Sequence, residues 1–208
     1  MTEREAIEDD SDRCWHRCFI ALVPDAATRD ALAALPVGPA ARRVAVDQLH
    51  MTVAFLGSVE PCTGAILAQR LGSVLAPLAA QRAEPSEYWP SAAHPRLVVV
   101  PFAVDNGLAE LEGRVRALVG ALGLPVDDHR PFRPHITLAR FARSARSARP
   151  AREASGGLGR AALPGAAPPE QATLEVIPRF DTLTLYSSTL ARHGARYRAL
   201  ASVAVPAA

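Results

Sequence analysis

Leu49-His50-Met51-Thr52-Val53-Ala54-Phe55-Leu56 and Phe132-Arg133-Pro134-His135-Ile136-Thr137-Leu138-Ala139 decide how this chain is read. Each is an apolar, strand-forming run with a histidine and a threonine two residues apart. Side chains alternate faces along a strand, so His50 and Thr52 point one way together, as do His135 and Thr137. On the same alternation Met51, Val53 and Phe55 of the first run, and Ile136 and Leu138 of the second, turn toward a core. One such string would carry little information, because threonine is simply a good strand former. The spacing occurs twice, in matching apolar contexts, and that sets two imidazoles and two hydroxyls on strand faces.

Histidine is the side chain whose ordinary pKa lies near neutrality. Of two imidazoles facing one cleft, a neutral one takes a proton while a charged one gives one. Each well-placed group is worth ~10²–10⁴-fold in rate. The hydroxyls, about 7 Å along each strand, suit donation to phosphoryl oxygens, where charge builds in a transition state. This set requires neither metal nor cofactor. A two-histidine metal site would need a third ligand, and no Asp or Glu stands beside His50 or His135 in either run. His16, His94, His129 and His193 have no threonine two residues on. Cys14-Trp15-His16-Arg17-Cys18 overlaps a predicted strand and has no second ligand pair, so zinc is not expected there.

At 208 residues, 49% of them hydrophobic, the chain can bury a substantial core. Its net charge of +2 does not by itself imply nucleic-acid binding. Every basic residue is arginine, which suits bidentate phosphate contacts, although an Ala- and Arg-rich composition yields the same bias. No apolar stretch approaches the ~20 residues of a membrane span. The opening MTEREAIEDDSDR is acid-rich, unlike a secretory signal, and residues 1–14 read as a disordered leader. An odd cysteine count (Cys14, Cys18, Cys62) favours a reducing, cytoplasmic setting. A monomer without membrane attachment is expected.

Periodicity places strands at 17–23, 44–57, 84–90, 97–102, 173–177, 182–187 and 197–205, besides the second motif strand. Helices are expected over 26–35 behind a Pro24-Asp25 cap, over 63–78, and over 108–122 up to Gly123 and Pro125. Mixed strands and helices with antiparallel connections give an α+β fold, and each motif strand lies near a long helix, which hints at internal duplication. Residues 142–170 are low in complexity and rich in Ala, Arg, Gly and Pro. They read as a solvated insertion within one domain spanning 15–208.

LHMTVAFLG and RPFRPHITLAR resemble the paired signatures of the two-histidine phosphoesterases. Within these they resemble the RNA 2′,3′-cyclic phosphodiesterases, also called 2′-5′ RNA ligases. The resemblance extends to RCFIALVPD, WPSAAHPRLVVV, FDTLTLYSS and ARYRAL, and spans about residues 15–205. It implies a bilobal fold of two pseudo-symmetric lobes of antiparallel sheet, helices outside, and the motif strands lining a central cleft. It also implies opening of a ribose 2′,3′-cyclic phosphate, on RNA ends or cyclic nucleotides, to a 2′-phosphate, with reverse 2′-5′ joining. In that scheme His50 protonates the departing 3′ oxygen, His135 activates water, and Thr52 and Thr137 hold the phosphate. The residues alone leave the two histidine roles open, because reversing the reaction exchanges them. Arg130 matches an arginine preceding the second motif, and Phe19, Tyr186 and Trp89 are candidates for stacking on a base, with core packing the alternative. Ala199 stands where the resemblance would place proline. The competing readings are a non-catalytic nucleotide-binding module and a phosphodiesterase for another cyclic nucleotide.

Overall fold

The computed structural model describes residues 15–126, 131–141, 172–191 and 194–208. The leader 1–14, Arg130 and the Arg-rich stretch 142–170 lie outside the described residues. The strands are β1 (Trp15–Pro24), β2 (Ala41–Arg43), β3 (Met51–Val59), β4 (Glu87–Trp89), β5 (Leu97–Pro101), β6 (His135–Phe141), β7 (Phe180–Ala191) and β8 (Gly194–Ala204). The helices are α1 (Ala26–Ala34), α2 (Pro61–Arg70) and α3 (Asn106–Ala121). All the strands join one eight-stranded sheet in the order β4-β5-β6-β3-β1-β7-β8, and β2 pairs with β6. Every pairing between these strands is antiparallel. The fold is α+β, as expected.

Local chemistry explains the helices. The Asp25 carboxylate accepts from Thr28 N at 2.8 Å and caps α1, and Asp105 does the same for α3 through Leu108 N at 2.8 Å. The helix expected over 63–78 stops at Arg70 and tightens into a 3₁₀ turn, Leu71–Val74. Gly72 weakens helix and Pro77 cannot donate to one, so the longer reading of the periodicity fails. The strand expected over 44–57 is shorter than that: its first part is a 3₁₀ turn at Val46–Gln48, only β3 is strand, and β2 lies just before the expected span. The apolar run at 173–177 is not a strand. Among the described residues it has no strand beside it, and Val176 and Ile177 are exposed.

Leu32, Leu67, Leu108, Leu111, Val115 and Leu118 of the helices share one cluster with Ile20, Leu22, Met51, Ile136, Leu138, Leu183 and Leu185 of the sheet. At ~25 cal/mol per Å² this burial is the main favourable contribution to folding. It commits one face of the sheet to the core, and the histidines project from the other.

The sheet carries an internal two-fold pattern. β7-β1-β3 on one side corresponds to β4-β5-β6 on the other, and in each half a strand, a helix and a motif strand follow in sequence. The halves meet where Met51 pairs with Ile136. Because the pairing is antiparallel, this register sets His50 across from Thr137 and Thr52 across from His135. The duplication expected from the paired motifs is therefore a property of the backbone.

Candidate active site

His50 immediately precedes β3, and its Nδ1 lies 2.7 Å from the carbonyl of Gln48. His135 opens β6, and its Nδ1 lies 2.7 Å from the carbonyl of Arg133. A carbonyl only accepts, so both Nδ1 atoms carry hydrogen and donate. In the neutral ring the proton-accepting nitrogen is then Nε2, and no described residue bonds it in either histidine. The same two-residue step back to a carbonyl orients both rings alike.

Their surroundings differ. The His50 ring sits 5.0 Å from Phe19, 5.1 Å from Tyr197 and 6.2 Å from Tyr186. The His135 ring lies 4.4 Å from Trp89, and the Arg133 guanidinium stands 4.2 Å from the same indole. Trp89 Nε1 donates to the Glu87 carboxylate. Burial holds the His50 pKa below the usual histidine value, opposed by the bond to Gln48, with the charges of Arg140 and His135 adding to the depression. Burial likewise lowers His135, opposed by the Arg133 carbonyl and reinforced by the charges of Arg133 and Arg140. Burial raises the phenol of Tyr186, which has a side-chain hydrogen bond with Thr184.

The expectation that Phe55 faces the core is overturned. Its side chain is 74% exposed, while Met51 and Val53 are buried as expected. The cause is a β-bulge: Ile20 pairs with Ala54 but Ala21 with Thr52, which leaves Val53 as an extra residue. An extra residue shifts the alternation by one and brings Phe55 onto the face of His50 and Thr52. The second half repeats the device. Val98 pairs with Ala139 and Val99 with Thr137, so Leu138 is the extra residue and Arg140 returns to the face of His135. Phe55 and Arg140 therefore hold equivalent positions, each five residues after its histidine.

Cross-strand register extends both rows. Ala199, Tyr186, Phe19 and Phe55 line up in one half, and Trp89, Leu97, Arg140 and Arg42 in the other. One half of this sheet face is aromatic and the other cationic. Phe19 is only 3% exposed beneath Tyr186, Tyr197 and Phe55, so it backs His50 and offers no free face. Tyr186 and Trp89 are half-buried against the two histidines. Thr52 and Thr137 are half-buried, each opposite the other motif's histidine. Arg133, Arg140, Phe55 and Tyr197 did not emerge as site residues from the sequence. Aligning HMTVAF with HITLAR marks the sixth position, five residues after the histidine, in both, but strict alternation sends it to the wrong face.

Among the described residues no three His, Cys, Asp or Glu side chains group as a metal site. No described helix is long and apolar enough to cross a membrane. Cys18 is buried, and desolvation pushes its thiol up to about 11.

Comparison with known proteins follows the same lines. No curated protein matches the chain. Among solved structures it is similar to LigT from E. coli complexed with 3′-AMP, at 27% identity and a TM-score of 0.63, over 91% of this chain and 98% of that one. It is also similar to TT0787 of Thermus thermophilus, at 25% identity and a TM-score of 0.64, over 92% and 98% of the two chains. A structure described as a phosphoesterase matches at 27% identity and a TM-score of 0.64, over 92% and 99%. The sequence profile of the 2′-5′ RNA ligase superfamily matches residues 24–176. With its doubled motif at the centre of one pseudo-symmetric sheet, the chain belongs to the 2′-5′ RNA ligase superfamily and is a phosphoesterase of the two-histidine, LigT-like kind.

Proposed function

We propose that this phosphoesterase opens 2′,3′-cyclic phosphates on RNA ends or nucleotides to 2′-phosphomonoesters, with protein side chains supplying both acid and base. The observation that carries this reading is the Met51–Ile136 register, which opposes two His/Thr pairs with both Nε2 atoms unengaged by described residues. His135 Nε2 takes a proton from water as its oxygen bonds phosphorus. His50 Nε2 gives its proton to O3′ as the P–O3′ bond breaks. Thr52 and Thr137 donate to the non-bridging oxygens, where charge accumulates. The products are a 2′-phosphate and a free 3′ hydroxyl. Proton exchange with solvent resets the two rings. The same steps, with a 5′ hydroxyl attacking phosphorus in place of water, form a 2′-5′ linkage.

The unequal surroundings favour this division of roles. Aromatic π faces stabilise a cation, so Phe19 and Tyr197 support the imidazolium of His50. Trp89 already engages the Arg133 guanidinium, and Arg133 opposes a positive charge on His135 alone, whereas Arg140 opposes one on either ring. Arg133 thus disfavours the charged form of His135, as suits a base.

The deciding experiment is incubation with a panel of cyclic phosphates, with and without chelator, reading the product phosphate position by NMR. A 2′-phosphate formed equally in chelator is expected. A 3′-phosphate, or no turnover of any ribose cyclic phosphate, refutes the reading.

A pH profile follows from the two depressed pKa values. Free protein with one ring charged and one neutral is most abundant below the ordinary histidine pKa of ~6.5. The value of kcat/KM should peak below that pH and decline through neutrality. Stability responds to the same groups. The unfolded chain protonates first, so stability present above pH ~6.5 is lost as pH falls below it toward the folded values. A rate maximum at or above pH 7 would contradict the assignment.

Phe55 presents an exposed ring beside the site, and stacking on a base is worth ~1–3 kcal/mol. Phe55→Ala should raise KM about 10-fold for cyclic nucleotides and leave kcat within about twofold. Steady-state kinetics check this, and an unchanged KM would leave the ring without a substrate role.

A further inference from the structure

His135 stands in a sparser frame than His50. Among the described residues three rings surround His50: Phe19, Tyr186 and Tyr197 come from β1, β7 and β8 and pack on one another. His135 has the single ring of Trp89. That ring ends β4, a three-residue edge strand whose ladder runs only to β5, through Glu87–Val99, Tyr88–Val98 and Trp89–Leu97. Short edge elements open readily, and a ring on one is poorly held unless something else fixes it. Glu87 lies two residues before Trp89 and shares the histidine face, while Tyr88 is buried on the other. The Glu87 carboxylate is exposed, yet the described ion pairs join Arg82 to Glu84, Arg114 to Glu110 and Arg116 to Glu112 and do not include it. It accepts the indole N–H of Trp89 instead. A charge-assisted bond of this kind is about twice as strong as a neutral one, and it holds the ring by its one donor atom. The Arg133 guanidinium rests 4.2 Å from the centre of that ring, and His135 lies 4.4 Å from it.

We propose that Glu87 is a positioning residue, which fixes the Trp89 indole so that the ring and the Arg133 guanidinium stay together against His135. This role rests on the proposed function, in which His135 is the base, and Glu87 serves it only through Trp89. A carboxylate bonded to the indole N–H also polarises the ring, and the richer π face holds a cation more firmly. The charged groups that face His135 are Arg133 and Arg140, with His50 across the β3–β6 junction. β5, whose Pro101 is the partner of His135, carries no titratable side chain. On β4 the carboxylate of Glu87 is turned to the indole. Burial and the Arg133 charge both disfavour the imidazolium of His135, and the indole supplies cover for the first and a seat for the second.

The test is NMR titration of the His135 ring in the parent, Glu87→Ala, Glu87→Gln, Trp89→Phe and the double variant Glu87→Ala/Trp89→Phe. The sign of the shift separates two mechanisms. A carboxylate acting on His135 through space favours its charged form, so loss of that charge would lower the titration in Ala and Gln alike. Loss of the brace does the opposite: the ring turns, water enters, Arg133 swings away and the titration rises. Glu87→Ala and Trp89→Phe, which keeps a ring without the N–H, should each rise toward the ordinary histidine value. The double variant should rise no further than either, and Glu87→Gln, which keeps an acceptor oxygen, should stay nearer the parent. For a cyclic phosphate, kcat/KM of Glu87→Ala should fall about 2- to 5-fold at acid pH, the worth of an exposed cation–π contact, and hold at alkaline pH. A downward or absent shift in Glu87→Ala, additive shifts in the double variant, or equal shifts in Gln and Ala overturn the brace. Glu87 is exposed on an edge strand, so its own variants fold and decide the matter even where Trp89→Phe does not. The titration needs no turnover, whereas absence of cyclic phosphate opening by the parent refutes only the underlying reading.

Discussion

His50→Ala and His135→Ala are each expected to lower kcat/KM by about 3–5 kcal/mol, the upper end of what a positioned acid or base supplies. Both rings are held by one Nδ1–carbonyl bond and packed on strand ends that stay paired without them, so each variant should fold. The two act as a unit. Once the base is gone, the acid has no developing negative charge on the leaving oxygen to neutralise. The double variant should therefore be scarcely slower than either single. Measured turnover with circular dichroism as a folding control checks this, and near-parent hydrolysis by either single variant would remove that histidine from the chemistry. Removal of His135 also relieves His50 of a like charge, so His135→Ala should move the remaining titration upward, toward the ordinary histidine value. NMR of the His50 ring reads that shift independently of activity.

Thr52→Val and Thr137→Val are expected to lose ~10- to 1000-fold in kcat/KM, less than the histidine variants. Valine keeps the volume and strand preference of threonine and removes only the hydroxyl, so the backbone register is retained while phosphate oxygens lose a donor. The antiparallel register places each threonine across from the other motif's histidine. Loss of one hydroxyl then disturbs the phosphate at the point where the opposite ring must act, and kcat should fall more than KM rises. Single-turnover kinetics separate the two effects. Parent rates in both variants would show that the threonines serve only the strands.

The fold class, the two motif strands, the cap at Asp25, and the core positions Met51, Val53, Ile136 and Leu138 were legible in the sequence. Each depends on short-range chemistry or on a period of two or of 3.6 residues, which a linear reading detects. The paired His-x-Thr spacing also sufficed for the family, since it is set by alternation within a single strand. Other features resisted that reading. The helix over 63–78 and the strand over 173–177 rested on apolar periodicity alone. Gly72 and Pro77 ended the first, and the second found no strand partner among the described residues.

What the sequence determined by itself was which side chains do the chemistry: two imidazoles and two hydroxyls, each pair on one strand face. Tertiary structure decided how they meet and what surrounds them. The single Met51–Ile136 pairing opposes the motifs head to tail, a fact of register between strands distant in sequence. The bulges at Val53 and Leu138 turn Phe55 and Arg140 onto the histidine face against the local alternation. A bulge is defined by the partner strand's count of residues, and no inspection of one strand reveals it. For the same reason the aromatic cage of His50, gathered from β1, β7 and β8, and the facing arginines of β2 and β6 exist only once distant strands pair.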